Sequence, residues 1–454
     1  MKSNFLHRFQ VILLIVLASP LCEVAAQGTK SLSLAESIRL GLANSKTLKA
    51  ADSKIVASDA SVSDARMKQL PDLKVSGTYM QLLQPNVNLK FPMGKPSEEN
   101  PSNEESGLSA LKVNNAMFGS LNASLPLFSG FRIKNSIASA QYLRKAAQFE
   151  REHDREAETM NLIEAYYNLY KLQSAVRLVQ ENLKMAHQRV ADFSNMERNG
   201  LLARNDLLKA QLQESNMELA LLEAQNNEKT ANYHLDIMLG LAPGTQLELD
   251  SLALDESRTV ESLQDLETQA LQNRNDRLAL LEREEAAHLG IEIAKGEKYP
   301  ALALTGGYIA AYVPHVLTVT NAVNIGLGLS YNIASLYKTE PKIRQAKAQQ
   351  QQLVYAEQQL NDGIRVALFK AYQDYTEALK KSEVYARAVE QARENYRITK
   401  NKYDNALALT TDLLDADVAQ LQSEINYAYA KADIQVAYNL LYQTAGILGK
   451  KVGP

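Results

Sequence analysis

Val323-Asn324-Ile325-Gly326-Leu327-Gly328-Leu329-Ser330-Tyr331-Asn332-Ile333 places an apolar side chain at every second position and a small or polar one between. Successive side chains of a strand point to opposite faces, so period two gives this segment one apolar face and one polar face. Ser120 to Leu127 repeats the pattern, with Leu121, Ala123, Leu125 and Leu127 alternating with Ser120, Asn122, Ser124 and Pro126. Leu73 to Gln81 and Ala301 to Tyr312 follow it less regularly. A soluble sandwich would cover the apolar face with a second sheet, whereas a membrane barrel turns it to lipid and lines water with the other. Each segment has the roughly ten-residue length of a tilted membrane strand.

The flanking sequence favours the barrel. Lys2 and Arg8 precede the short apolar run Val11 to Ala18, and Val24-Ala25-Ala26 offers small residues for cleavage, so residues 1–26 read as a secretory signal peptide. The single cysteine, Cys22, lies within it, which leaves a mature chain without thiol chemistry. No later stretch approaches the ~18 apolar residues of a membrane helix. Any crossing must therefore be made by strands. Four strands are too few to close a barrel with a lumen, since about eight already fill their interior with side chains. Open edges in lipid leave backbone groups unpaired, so the barrel should be shared among copies. Tyr79, Tyr308, Tyr312, Phe128 and Phe131 are candidates for its interfacial aromatic girdle.

The rest of the chain is helical and duplicated. Asn195 to Leu208, with Asn199-Gly200-Leu201-Leu202 and Asp206, is echoed by Asn401 to Leu414, with Asn405-Ala406-Leu407-Ala408 and Asp412, at an offset of 206. Upstream the offset is 229, pairing Leu34, Asn44, Pro71 and Gly77 with Leu263, Asn273, Pro300 and Gly306. The difference falls in Gln84 to Ala116, a Pro-, Asn- and Ser-rich stretch that reads as a long loop. Arg132 to Asn199 contains neither proline nor glycine, and at 1.5 Å per residue such a helix would reach about 100 Å. Leu162, Tyr166, Leu169, Val176, Leu183 and Val190, then Leu208, Leu212, Leu219 and Leu222, recur at near-heptad spacing and predict helix-on-helix packing.

This order resembles the TolC family of outer-membrane efflux channels. The resemblance is carried by the duplication, by Leu125-Pro126-Leu127-Phe128-Ser129-Gly130 ahead of the first long helix, and by Thr411-Asp412-Leu413-Leu414-Asp415-Ala416. It implies a mainly α, mixed α and β fold: a long antiparallel coiled-coil tube, plus four strands per chain contributing to a trimeric twelve-stranded transmembrane barrel. It further implies a homotrimer in the outer membrane of a Gram-negative bacterium, with a large periplasmic portion, a periplasmic adaptor and an inner-membrane pump as partners. On this resemblance Asp412 and Asp415 are expected at a pore constriction that sets selectivity, and Tyr403 and Asp206 in a gating network. The tips Asn199, Gly200, Leu201, Leu202, Asn405, Ala406, Leu407, Ala408 and Leu409 are expected to dock the adaptor. Where the family carries a gating arginine, this chain has Ala408. Without the resemblance, Asp206 and Asp412 read equally well as helix caps. Asp415 does not, because its counterpart in the first copy is Lys209.

The expected organisation is a signal peptide over 1–26 and a first repeat over 27–239, with strands at about 72–83 and 118–128 and helices at 129–199 and 205–239. An equatorial linker over 240–262 leads to a second repeat over 263–454, with strands at about 301–313 and 322–333 and helices at 338–404 and 411–448. The near balance of 49 Lys+Arg with 52 Asp+Glu, without a basic block, argues against nucleic acid as a partner. The six histidines show no metal-ligand spacing, and no acid, base and nucleophile set emerges, so neither a metal, a cofactor nor an enzyme is expected. The competing reading is a surface or periplasmic coiled-coil scaffold or adhesin with a small soluble sheet.

Overall fold

The computed structural model describes residues 30–83, 114–250, 260–314 and 317–449. The expected signal peptide, Cys22 and most of the long loop lie outside them. The elements run β1 (Lys30–Leu32), α1 (Leu34–Asn44), α2 (Lys46–Met67), β2 (Asp72–Gln81), β3 (Asn115–Phe128), α3 (Arg132–Arg198), α4 (Arg204–Leu239) and β4 (Leu247–Leu249). Then follow α5 (Leu263–Asn273), α6 (Asn275–Gly296), β5 (Ala301–Val313), β6 (Leu317–Ser330), α7 (Ser335–Asp404) and α8 (Thr410–Thr444). The chain is mainly helical with one larger sheet. Its described residues divide into two compact units, one falling within 1–49, 152–274 and 363–454, the other within 50–151 and 275–362.

The second unit holds the four-stranded antiparallel sheet, in the order β2-β3-β5-β6. Its register turns the alternation of the sequence into continuous faces. Val75, Leu121, Tyr308 and Val323 form one row, Leu73, Ala123, Gly306 and Ile325 the next, and Leu125, Leu304 and Leu327 a third. On the opposite face Lys74, Asn122, Gly307 and Asn324 align, and the Ser76 and Ser120 hydroxyls meet at 2.8 Å. Strand β6 occupies 317–330 and not the expected 322–333. Asn332 ends it: its carboxamide oxygen accepts from Ala334 N at 3.1 Å and its carbonyl from Ser335 N at 2.9 Å, turning the chain into α7. Tyr308 corrects the girdle reading, because it lies mid-sheet opposite Val323 and its hydroxyl accepts from Asn321 N at 3.2 Å beside a bulge. Phe128 is at a strand end, edge-to-face with Phe131 at 5.3 Å.

The Leu125-to-Gly130 segment has a steric reason for its glycine. Gly130 adopts φ 64°, and a Cβ there would lie 2.3 Å from the Gly296 carbonyl oxygen, so the turn into α3 passes directly against the end of α6. The helices of this unit bury small side chains, among them Ala65, Ala146, Ala147, Ala279 and Ala286. Alanines permit close helix approach, as where Ser139 Oγ donates to the Ala286 carbonyl at 3.1 Å.

In the first unit β1 and β4 pair in parallel, and the buried Tyr166 of α3 ties them down. Its hydroxyl lies 3.1 Å from both the Leu32 and the Asp250 carbonyls, and burial holds its pKa above the usual tyrosine range. The duplication is visible atom by atom. Ser33 Oγ caps α1 by accepting from Glu36 N, and Ser262 Oγ, 229 residues on, caps α5 by accepting from Asp265 N, both at 3.2 Å. The α3 seam residues Leu162, Tyr166 and Leu169 are buried, as their spacing predicts. Those of α4 are not. Leu208, Leu212, Leu219 and Leu222 are 50–64% exposed, so this seam is left open among the described residues.

Candidate functional site: the paired helix tips

The long helices of the first unit end in two related turns. After α3, Gly200 N donates to the Glu197 carbonyl at 2.9 Å and Leu201 N to the Met196 carbonyl at 2.8 Å, the two bonds of a Schellman cap. After α7, Ala406 N donates to Tyr403 and Leu407 N to Lys402 at the same two distances. Asn199 and Asn405 each bond back to the carbonyl four residues earlier, at 2.7 and 2.8 Å. The copies differ at the left-handed residue, Gly200 with φ 71° in one and Ala406 with φ 59° in the other. A Cβ in this region costs about 1–2 kcal/mol. Ala406→Gly is therefore expected to stabilise the protein by about 1 kcal/mol, read as a higher urea midpoint at unchanged slope.

The tips present apolar side chains outward, with Leu201, Leu407 and Leu409 69–77% exposed. Leu202 turns inward instead. It packs with Tyr403, Val190, Met196 and Tyr396 against a buried cluster of Phe193, Leu207, Ala210 and Leu413. The Tyr403 ring stacks on Phe193 at 5.6 Å. Tyr403, Asp206 and Ala408 line one cavity of about 740 Å³, but Asp206 bonds Lys209 at 3.3 Å and not Tyr403.

The two aspartates of α8 have different surroundings. Asp412 Oδ2 accepts from Leu409 N at 3.1 Å, which makes it a cap of α8. Its counterpart Asp206 makes no such bond, and the start of α4 at Ala203 has no side-chain cap. Asp415 is exposed and, among the described residues, has no hydrogen bond or ion pair in the chain. The repeat shows what this means electrostatically. In the first copy Asp206 is neutralised by Lys209 three residues on, and in the second Lys209 is replaced by Asp415, leaving two carboxylates on one helical face.

A fourth aspartate forms a buried ion pair at this end of the unit. Asp417, 2% exposed, accepts from Arg189 of α3 at 2.8 Å and from Asn182 Nδ2 at 3.2 Å. Arg189, 9% exposed, also donates to the Tyr396 hydroxyl of α7 at 3.3 Å. Burial pulls the guanidinium pKa down, but the bonds and charge of Asp417 and Tyr396 outweigh it, so the net shift is upward. Three helices are thus joined through one buried pair. The sequence reading passed over it, although Arg189 falls on the buried stripe of Ala186 and Phe193, and Asp417 on that of Leu413 and Leu421. A charge on an apolar stripe was the available signal.

The sequence model of the family Outer membrane efflux protein matches residues 38–241 and 266–447, most of the chain and both copies of the repeat. The chain belongs to that family. It is 23% identical over 337 residues to the toxin and drug export protein A of Aggregatibacter actinomycetemcomitans, with 72% of either chain covered. It is 25% identical over 335 residues to the outer membrane efflux protein BepC of Brucella suis, again over 72% of either chain. Its fold matches that of the outer membrane protein VceC of Vibrio cholerae with a TM-score of 0.73 at 18% identity, over 91% of this chain and 96% of that one. This efflux protein is thus the outer-membrane channel component of a tripartite efflux or secretion system. No described helix is long and apolar enough to cross a membrane.

Proposed function

We propose that three copies of the chain close a twelve-stranded barrel and a helical tunnel, and that the paired tips form its periplasmic gate. The observation that carries this is the unclosed sheet. Among the described residues β2 and β6 each have a free edge beside a mainly apolar face, and an edge in lipid costs several kcal/mol for each unpaired backbone group. The open leucine seam of α4 supports the same reading, since a neighbouring copy supplies the helix it lacks. Light scattering on the detergent-purified protein is expected to give the mass of three chains; a monodisperse monomer refutes the reading. Ile325→Arg, in the middle of the apolar rows, is expected to cost about 2–4 kcal/mol in the bilayer and to deplete the assembled form in outer-membrane fractions.

In this assembly threefold symmetry gathers Asp412 and Asp415 of every copy about the axis, where rings of like charge select for cations. The Arg189–Asp417–Tyr396 network takes the place of the arginine that position 408 lacks, holding α3, α7 and α8 together in the closed state. Leu201, Leu407 and Leu409 are the docking surface for a periplasmic adaptor, which couples the duct to an inner-membrane pump. Cysteines at these three positions are expected to crosslink to the adaptor in intact cells. Crosslinks formed only from α4 or α6 would move the docking surface elsewhere.

A further inference from the structure

The cavity at the tips has the size and lining of a small-molecule site. Its volume of about 740 Å³ lies in the range that holds drug-sized ligands. Phe193, Tyr396 and Tyr403 supply its aromatic wall, with Leu202 and Leu413 as further apolar contacts. Two cations and three carboxylates also line it, and their pairing decides its electrostatics. Arg189 is neutralised by Asp417 at 2.8 Å, Lys400 by Asp404 at 2.9 Å, and Asp206 by Lys209 at 3.3 Å. Asp192 is the exception. It accepts only from the neutral Gln188 amide, at 2.9 Å, and has no cationic partner among the described residues.

We propose that this cavity binds amphipathic organic cations. Aromatic faces attract a cation through the ring quadrupole, and the uncompensated Asp192 carboxylate fixes the sign of the charge. An anion of the same shape meets the same apolar wall but faces Asp192 without a free counter-charge. A flat or aliphatic neutral molecule gains only the wall. A ligand seated here touches α3, α7 and both tip turns, so occupancy ties together the elements the buried pair already joins. That consequence rests on the gate reading, whereas the binding itself does not.

Tetraphenylphosphonium and tetraphenylborate have nearly the same shape and opposite charge, which makes them the pair of probes. Equilibrium dialysis of the whole detergent-solubilised protein, with micelles in both compartments, is expected to show saturable binding of tetraphenylphosphonium at one site per chain. Tetraphenylborate is expected to show only the unsaturable uptake of the micelles. Asp192→Asn, at an exposed side chain whose hydrogen bond is to Gln188 one turn back on the same helix, is expected to weaken tetraphenylphosphonium at least tenfold. Ala408→Trp, which fills the cavity from its rim, is expected to abolish saturable binding while circular dichroism stays unchanged. Asp415→Asn is expected to leave binding as in the native protein even where conductance changes, which separates this proposal from the gate. Saturable binding of both ions alike, no saturable binding, or binding unaltered by both cavity variants would overturn it.

Discussion

Asp417→Ala is expected to lower the stability of this efflux protein by about 3–5 kcal/mol and to raise its single-channel conductance in planar bilayers. Removing the carboxylate leaves Arg189 buried with the Tyr396 hydroxyl and no counter-charge, the arrangement in which a broken ion pair is most costly. The guanidinium is then better hydrated if α3 separates from α8. Stability and opening are therefore coupled at this residue. The double variant Arg189→Met with Asp417→Leu distinguishes the pair's two roles. It removes both charges and keeps apolar volume, so stability is expected to return to the native value or above it. Its conductance reports whether helix packing alone keeps the tip shut. Native conductance in a folded Asp417→Ala trimer would show that the pair holds the unit together without holding the gate. Because the Arg189 pKa is shifted upward, the contribution of this group is present below its ordinary value and is lost only in stronger base. No loss of the latch through Arg189 titration is expected between pH 6 and 9.

The second large effect concerns ion selectivity. Replacing Asp412 and Asp415 together with alanine is expected to reduce cation preference, read as a reversal potential moving towards zero under a salt gradient, and to weaken block by divalent cations. The structure says how to separate selectivity from folding. Asp412 caps α8 through Leu409 N, so Asp412→Ala carries a stability cost of about 1 kcal/mol as well as a lost charge. Asp415 makes no bond among the described residues, so Asp415→Asn is expected to shift the reversal potential at an unchanged urea midpoint. A pore whose reversal potential and divalent block survive both changes would exclude these residues from the constriction.

Strand alternation, the duplication and the absence of proline and glycine from Arg132 to Asn199 were enough to establish the fold class. The first and the last are local properties, since period two makes a two-faced strand and a long unbroken run makes a long helix, and the repeat shows them twice. The same locality explains the errors. Tyr308 has the residue type of a girdle aromatic, but only the register, with its bulge at Asn321, puts it mid-sheet. Leu208, Leu212, Leu219 and Leu222 have the spacing of a seam, and spacing is silent on whether the partner helix belongs to the same chain. Asp206 and Asp412 are equivalent in sequence, yet one pairs with Lys209 three positions on and the other, followed by Asp415 instead, caps a helix.

Sequence by itself determined the four strands and the repeat, because both are written in the order of residue types along the chain, whereas the exposure of Asp415 and its lack of a partner among the described residues came only with the structure. Tertiary structure alone decided that Arg189 meets Asp417, which lies 228 residues further along. A buried ion pair is a relation between two helices, and no pattern within either helix records the other. The physical reason is desolvation. Each of these charges is tolerable in the interior only beside the other, so the pair exists once α3, α7 and α8 have packed and not before.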